Sequence, residues 1–190
     1  MPRLKEADTV DGLRAEVARL TAALARAEQA LADVQIRDRV TGLLDQRETL
    51  RRVRVEIDRC RRHRRTLSVI VVSIVGSPAL VERTGRRGAD QLLLRAGQVC
   101  AQGRRLGDVV GRLEGGEFAV QLPEVLPAGA LTVIDHIRRA NQASTGLVEL
   151  PSGASVSLAL ELAFGVAHFP EHGSDVDTLL AVARSNLQSA

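Results

Sequence analysis

The chain has 190 residues, of which 45% are hydrophobic and 26% charged, a composition typical of a soluble globular domain plus an appendage. It contains three Phe, no Tyr and no Trp, so the core must be aliphatic and the aromatic platforms of single-strand nucleic-acid binding are missing. The net charge is +3 and the pI about 9.6. Arg supplies nearly all the positive charge and can bind phosphate in a bidentate manner, although these arginines also fit an ordinary solvated surface.

Cysteine spacing and hydropathy predict a cytoplasmic protein with no membrane segment. Cys60 and Cys100 form no CxxC pair, so we expect neither a zinc site nor a disulfide, but reduced thiols. The first residues lack the apolar centre of a signal peptide, and the longest apolar run, residues 67–75, is too short to span a bilayer.

The first part of the chain carries a heptad repeat. Apolar residues spaced alternately three and four apart are Val10, Leu13, Val17, Leu20, Leu24, Ala27, Leu31 and Val34. This spacing is typical of a coiled-coil seam, whereas a lone amphipathic helix usually has a wider and less regular stripe. The next seam position is Asp38, where the seam ends. We therefore predict a coiled-coil stalk over residues 1–37 that forms a homodimer, and a globular domain over residues 38–190.

The globular part alternates helical and strand patterns. The predicted elements in chain order are a turn at 38–47, a helix at 45–64, a central buried strand at 67–75, helical stretches at 79–84 and 88–104, a hairpin at 108–122, a helix at 127–143, a strand at 155–169 and a helix at 175–189. The kernel of this order is the split β-α-β arrangement of a ferredoxin-like α/β fold with an antiparallel or mixed sheet.

Three motifs resemble the GGDEF family of diguanylate cyclases. Residues 38–47, DRVTGLLDQR, are similar to the family's opening DxLTGLxNR. Residues 112–118, RLEGGEF, are similar to its RYGGDEF signature, and residues 164–167, FGVA, with Pro170 and Gly173, to its late SIGVAxxPxxG. The three motifs stand at the family's spacing, and together the resemblance covers residues 38–190.

The resemblance implies a reaction for which this chain lacks essential residues. Family members join two GTP molecules, one held by each subunit of a dimer, and need Mg²⁺ ions bound by carboxylates. The acidic residue that ends the first strand falls on Ser73, and the third signature position falls on Gly116, which has no side chain. Glu114 replaces the first glycine of the signature, Gly115 keeps the second, and only Glu117, the fourth position, remains acidic.

The nucleotide-binding residues implied by the resemblance are also incomplete. The phosphate-binding Lys falls on Pro78 and the guanine-binding Asn on Val81, although the partner Asp is kept as Asp90. A further family Lys would come just after Ala190. We therefore expect no Mg²⁺, no cofactor and no cyclase activity. An alternative alignment treats Glu114 as an insertion and leaves a shortened signature, and Asp90 and Glu117 equally fit ordinary surface acids.

One family ligand site remains complete in the sequence. Arg105 and Asp108 match RxxD, the inhibitory product site, at the family's spacing from the signature. The resemblance implies that Arg105 binds the phosphates and guanine edges of cyclic di-GMP, while Asp108 accepts hydrogen bonds from guanine. The resemblance also implies a further arginine recruited from the neighbouring domain, for which Arg138 or Arg139 on the next helix is the candidate. An ordinary surface ion pair is the alternative interpretation.

These observations favour a non-catalytic cyclic di-GMP receptor. The alternatives are a nucleotide-independent scaffold for a protein partner, a residual cyclase, and a nucleic-acid binder that uses the arginine run at residues 59–65, which we rank last. His63, His136, His168 and His172 have no metal-ligand spacing and are interpreted as structural or surface residues.

Overall fold

The computed structural model describes residues 12–26, 36–144 and 146–189. The chain divides into two compact units, Met1–Ile36 and Arg37–Ala190, which are described separately.

In the first unit, residues 12–26 form a helix, α1. Its four seam residues, Leu13, Val17, Leu20 and Leu24, are each more than half exposed, with fractions of 54–61%. The helix therefore presents the predicted apolar stripe to its surroundings. The other seam positions, Val10, Ala27, Leu31 and Val34, lie outside the described residues, as does the segment 1–9.

The second unit is built around an antiparallel sheet. Its elements are α2 (Gln46–His63), β1 (Leu67–Ile74), α3 (Ser77–Ala101), β2 (Val109–Arg112), β3 (Glu117–Pro123), α4 (Pro127–Ala143), β4 (Leu147–Glu149), β5 (Ser155–Ser157), β6 (Leu162–Phe169), α5 (Val176–Ser185) and β7 (Gln188–Ser189). Five strands form one sheet in the order β2-β3-β1-β6-β7, and β4 pairs with β5 separately. The arrangement β1-α3-β2-β3-α4-β6 is the predicted ferredoxin-like kernel, so the predicted fold class is confirmed.

The central strand β1 separates two cores. Its residues Ile70 and Val72 face α3 and α4, where they pack with Leu92 and Ile134. Val69 and Val71 on the opposite face pack against α2 and α5. Helices cover both faces, so β1 is a continuous β-branched run rather than an alternating one, as expected for a strand buried on both sides.

Local chemistry explains where the helices around β1 begin and end. Asp45 caps α2 by accepting a hydrogen bond of 2.8 Å from the Glu48 N–H. Arg64 then ends α2 in the left-handed conformation, with φ of 51°. Inside α3, Gly85 departs from helical geometry at φ of 66°, so α3 consists of two helical segments on either side of a kink, as the two predicted stretches suggest.

The structure differs from the predicted secondary structure in three places. The expected strand at 155–169 is two strands, β5 and β6, and β4 was not predicted because a three-residue strand carries too little periodicity. The expected helix at 175–189 ends at Ser185, and the chain turns back so that Gln188 pairs with Phe164. The other predicted elements are confirmed within a few residues.

Both thiols are buried and free. Cys60 and Cys100 have exposed fractions of 1% and 2%. Burial raises the pKa of Cys60 to about 11, helped by Glu56, and raises the pKa of Cys100 to about 12. Among the described helices, none combines the length and apolar character needed to cross a membrane.

The close packing of α5 on β6 requires glycine at residue 165. A Cβ atom there would lie 1.8 Å from the Ala183 carbonyl oxygen. We therefore expect Gly165→Ala to lower the free energy of unfolding by at least about 1–3 kcal/mol, because α5 must shift. Urea denaturation measures this. Gly107→Ala is the matched control, since nothing lies within 4 Å of its Cβ position, and equal losses in both variants would contradict the packing.

Candidate functional site

The retained acid of the signature, Glu117, is held by an arginine of α5. Glu117 and Ser73 pair across β3 and β1, and their side chains lie on the face of the sheet that α2 and α5 cover. Arg184 donates from Nε, and its Nη2 also lies 2.9 Å from the same Glu117 oxygen. The Glu117 side chain is only 22% exposed. A guanidinium therefore already neutralises the single carboxylate at this position.

The third signature position is sterically closed. A Cβ atom on Gly116 would lie 2.9 Å from the Ser77 Cβ and 3.3 Å from the Ile74 Cβ. The Gly116 carbonyl oxygen also accepts a hydrogen bond of 3.0 Å from the Ile74 N–H, which fixes the turn against the end of β1. A carboxylate side chain has no space at Gly116 unless Ser77 or the turn moves.

These residues do not fit a Mg²⁺ ion. Octahedral Mg²⁺ sites in nucleotide enzymes use carboxylate oxygens, whereas here Ser73 offers a hydroxyl, Gly116 offers no side chain, and Glu117 is bound to Arg184. Within the described ranges, no group of three or more His, Cys, Asp or Glu side chains could hold a metal ion.

A cavity of about 330 Å³ lies on the other face of the sheet, between the signature turn at residues 114–116 and the first half of α3. Asp90, Gly115 and Gly116 line it together with Pro78 and Val81, so this part of the sequence-predicted vestigial site is brought together. Ser73, Glu114 and Glu117 are not among its lining residues. The Glu114 carboxylate instead accepts a hydrogen bond of 3.3 Å from the Gln46 side chain.

The opening DRVTG motif contacts the signature turn through Arg112. Asp38 Oδ1 accepts hydrogen bonds from the Thr41 N–H and hydroxyl at 2.8 and 2.7 Å, and Arg112 Nη1 lies 3.4 Å away. Burial alone would raise the pKa of Asp38, but the Thr41 hydrogen bonds and the Arg112 charge outweigh it and lower that pKa. Arg112 Nη2 also donates to the Gly115 carbonyl oxygen at 3.0 Å, so Asp38 positions the turn through Arg112.

The RxxD residues form a compact turn before β2. The Arg105 N–H donates to Asp108 Oδ2 at 2.7 Å, and the Asp108 N–H donates back to the Arg105 carbonyl oxygen at 3.1 Å. Asp108 Oδ1 and the Arg105 guanidinium have no bonding partner in the part of the chain that the structure describes. The Arg105 side chain is exposed, and so is Leu106 beside it. The turn therefore presents one cation and one free carboxylate oxygen.

Arg138 lies elsewhere on the sheet. Its guanidinium sits 5.2 Å from the centroid of the Phe164 ring on β6 and 3.4 Å from Asp135. Strand β6 is three positions from β2 in the sheet, and Arg138 lines a separate hollow with Asn141. Within one domain Arg138 therefore lies over β6, whereas Arg105 and Asp108 precede β2, and Arg138 as a ligand-binding residue stays a prediction. Arg139, which is exposed on the same helix, stays a prediction.

The arginine run that ends α2 is largely paired with carboxylates. Arg59 lies near Glu56, Arg61 pairs with Asp58 at 2.9 Å, and Arg65 pairs with Glu124. Pairing of this kind reduces the net positive field that nucleic-acid binding needs.

Two participants in the site could not be found from sequence patterns. Arg184 is 67 residues from Glu117, and Ser77 is 39 residues from Gly116, so only the folded sheet brings either pair together. No local motif marks these contacts.

The fold and the motifs define a ferredoxin-like domain with a signature hairpin beside its central strand. The family described as "Diguanylate cyclase, GGDEF domain" matches residues 35–190, and the chain belongs to this family. Diguanylate cyclase TpbB of Pseudomonas aeruginosa is 33% identical over 119 residues, which cover 62% of this chain and 26% of that protein. The chain spans less than half the length of the curated relatives it matches.

Solved structures agree with this assignment. The GGDEF domain of TpbB from Pseudomonas aeruginosa superposes with a TM-score of 0.66 at 29% identity, covering 78% of this chain and 84% of that one. The coiled coil and GGDEF domain of DgcB from Caulobacter crescentus gives a TM-score of 0.71 at 18% identity, covering 91% of each chain. The DgcB match is a likeness of fold alone.

We expect millimolar Mg²⁺ to leave the melting temperature unchanged relative to NaCl of equal ionic strength. The reason is that an ion bound to the native state would stabilise it, and these residues offer no such site. Differential scanning fluorimetry of wild type and Glu117→Gln measures this. A Mg²⁺-specific rise in wild type that disappears in Glu117→Gln would show that Glu117 binds metal despite Arg184.

Proposed function

We propose that this GGDEF-family domain does not synthesise cyclic di-GMP but binds it at the turn that carries Arg105 and Asp108. The observation that carries the proposal is the contrast between two positions near β2 and β3. At the signature, Arg184 forms an ion pair with the retained acid, Glu117, and Ser77 fills the space beside the third position, Gly116. At the RxxD turn, the Arg105 guanidinium and Asp108 Oδ1 are open to a ligand.

The turn suits a ligand with both phosphates and guanines. The Arg105 guanidinium can donate to a phosphate oxygen or to the N7 and O6 edge of guanine, and charged hydrogen bonds of this kind are the strong ones. Asp108 Oδ1 can accept from guanine N–H groups, while Oδ2 keeps the turn closed through the Arg105 N–H. Because Asp108 holds the backbone of Arg105, only the side-chain rotamers of this cation have to be ordered on binding.

Dimerisation through α1 is part of the same proposal. The exposed side chains of Leu13, Val17, Leu20 and Leu24 match the core positions of a two-stranded coiled coil. Two domains on one stalk would offer two RxxD turns, and a ligand that cross-links domains would favour one arrangement of the dimer over others. We place this dimer in the cytoplasm, with a protein partner that responds to the arrangement.

The exposed stripe also favours a second candidate, a scaffold whose helix and domain bind a protein partner without nucleotide. The two candidates differ in whether cyclic di-GMP binds at all.

Calorimetric titration with cyclic di-GMP tests the proposal. We expect wild type to bind, and Arg105→Ala to bind about tenfold to a hundredfold more weakly, because a charged hydrogen bond contributes about 1.5–3 kcal/mol. Arg104→Ala is the matched control, since Arg104 is the exposed arginine immediately before Arg105. Asp108→Asn keeps one side-chain oxygen that can accept from the Arg105 N–H, so the turn stays closed. A loss of affinity in this variant therefore reports the missing carboxylate oxygen at the ligand and not a change in the turn.

Equal binding by wild type and Arg105→Ala would place the ligand elsewhere. The absence of heat with wild type would reject the receptor and leave the scaffold candidate.

A further inference from the structure

The hairpin of β4 and β5 has one covered edge and one open edge. The outer edge of β4 lies on α3, where the Glu149 N–H donates to Gln91 Oε1 at 3.0 Å. In the part of the chain that the structure describes, β5 pairs with no strand other than β4, and both Ser155 and Ser157 are exposed. The outer edge of β5 is therefore available to a further strand.

The register of the hairpin decides which backbone groups of β5 point outward. The Leu150 N–H donates to the Ala154 carbonyl oxygen at 2.8 Å, and Val148 stands opposite Val156. Hydrogen-bonded and non-hydrogen-bonded pairs alternate in an antiparallel ladder, so Val148 and Val156 bond to each other. The N–H and carbonyl groups of the residues on either side of Val156 therefore point away from β4.

Other bonds of the hairpin agree with this alternation. Glu149 stands opposite Ser155 in a non-hydrogen-bonded pair, and its N–H accordingly leaves the hairpin toward Gln91. The outward backbone groups of Ser155 and Ser157 have no hydrogen-bond partner among the residues that the structure describes. The open edge thus presents two N–H donors and two carbonyl acceptors.

The sequence of this edge is complementary to itself. Residues 155–157 read SVS, so a second copy of β5 that runs antiparallel about Val156 places Ser155 opposite Ser157 twice. Both are hydrogen-bonded pairs, in which all the outward groups find partners. Residues 152–160 contain no charged side chain and no proline, the features with which exposed edge strands usually avoid pairing.

We infer that β5 pairs with β5 of a second copy of this chain, so that the two hairpins form one four-stranded antiparallel sheet. The inference rests on the dimer through α1 proposed above, since three residues bury too little surface to hold two chains together alone. Two domains tethered to one stalk meet at a high effective concentration, which favours a contact that is weak between free domains. Arg105 and Asp108 take no part in this contact.

Disulfide formation by Val156→Cys in the full chain tests the inference. The proposed register makes residue 156 face its own copy in a non-hydrogen-bonded pair, with Cα atoms about 4.5 Å apart, a distance that a disulfide can span. We expect oxidised glutathione to convert most of this variant to a disulfide-linked dimer on a non-reducing gel. Cys60 and Cys100 are buried, so wild type should stay unlinked.

Ser152→Cys is the matched control. Ser152 is exposed in the turn of the same hairpin, and the proposed register separates its two copies by about 27 Å along the strands. We expect it to cross-link at least about tenfold less than Val156→Cys, because a disulfide cannot span that distance. Adding Ser157→Pro to Val156→Cys removes an outward N–H without removing a bond to β4, and should lower the cross-linked fraction about fivefold.

Sedimentation velocity on the same samples before oxidation separates the inference from the dimer on which it rests. A dimer in which Val156→Cys and Ser152→Cys cross-link equally, or in which neither cross-links, would overturn the pairing of β5 and leave the α1 dimer standing. A monomer would overturn both. None of these results bears on cyclic di-GMP binding at Arg105, which the calorimetric titration tests separately.

Discussion

The burial of β1 on both faces is the constraint on which the rest of the structure depends. Side chains alternate along a strand, so each residue at the end of β1 belongs to one core or the other. Ser73 lies with Glu117 and Arg184 on the α5 face, whereas Ile74 lies with Gly116 and the cavity on the α3 face. The candidate site is thereby divided into a charged side and an apolar side, and in the described part of the chain no group of three or more His, Cys, Asp or Glu side chains could hold a metal ion.

Contacts inside the domain occupy two of the signature positions, Gly116 and Glu117. Arg184 supplies beside Glu117 the positive charge that a metal ion would otherwise bring, so the acid stays compatible with a half-buried position. Ser77 packs where a side chain at the third signature position would start, so the turn closes on the end of β1. Restoring an acid at Ser73 alone would leave both features in place, which is why we assign the domain a binding function rather than a weakened catalytic one.

Sequence patterns predicted the parts of the molecule that local chemistry determines. The β-branched run of β1, the Gly115-Gly116 turn and the helix from Pro127 to Ala143 were all predictable because each carries its own periodicity or turn residues. Contacts between distant segments were not predictable. The stacking of Arg138 on Phe164, for example, depends on how α4 crosses the sheet. The same limit applies to Arg184, whose partner is on another strand.

The central claim is that the signature can no longer support synthesis of cyclic di-GMP. Incubation of the full chain with GTP and Mg²⁺ or Mn²⁺, followed by anion-exchange chromatography, tests it most directly, with a family cyclase that has an intact signature as the positive control. We expect unchanged GTP and no peak for cyclic di-GMP or its linear dinucleotide intermediate. A cyclic di-GMP peak that grows with time and is lost in Glu117→Gln would contradict it, because Glu117 would then be catalytic despite its ion pair with Arg184.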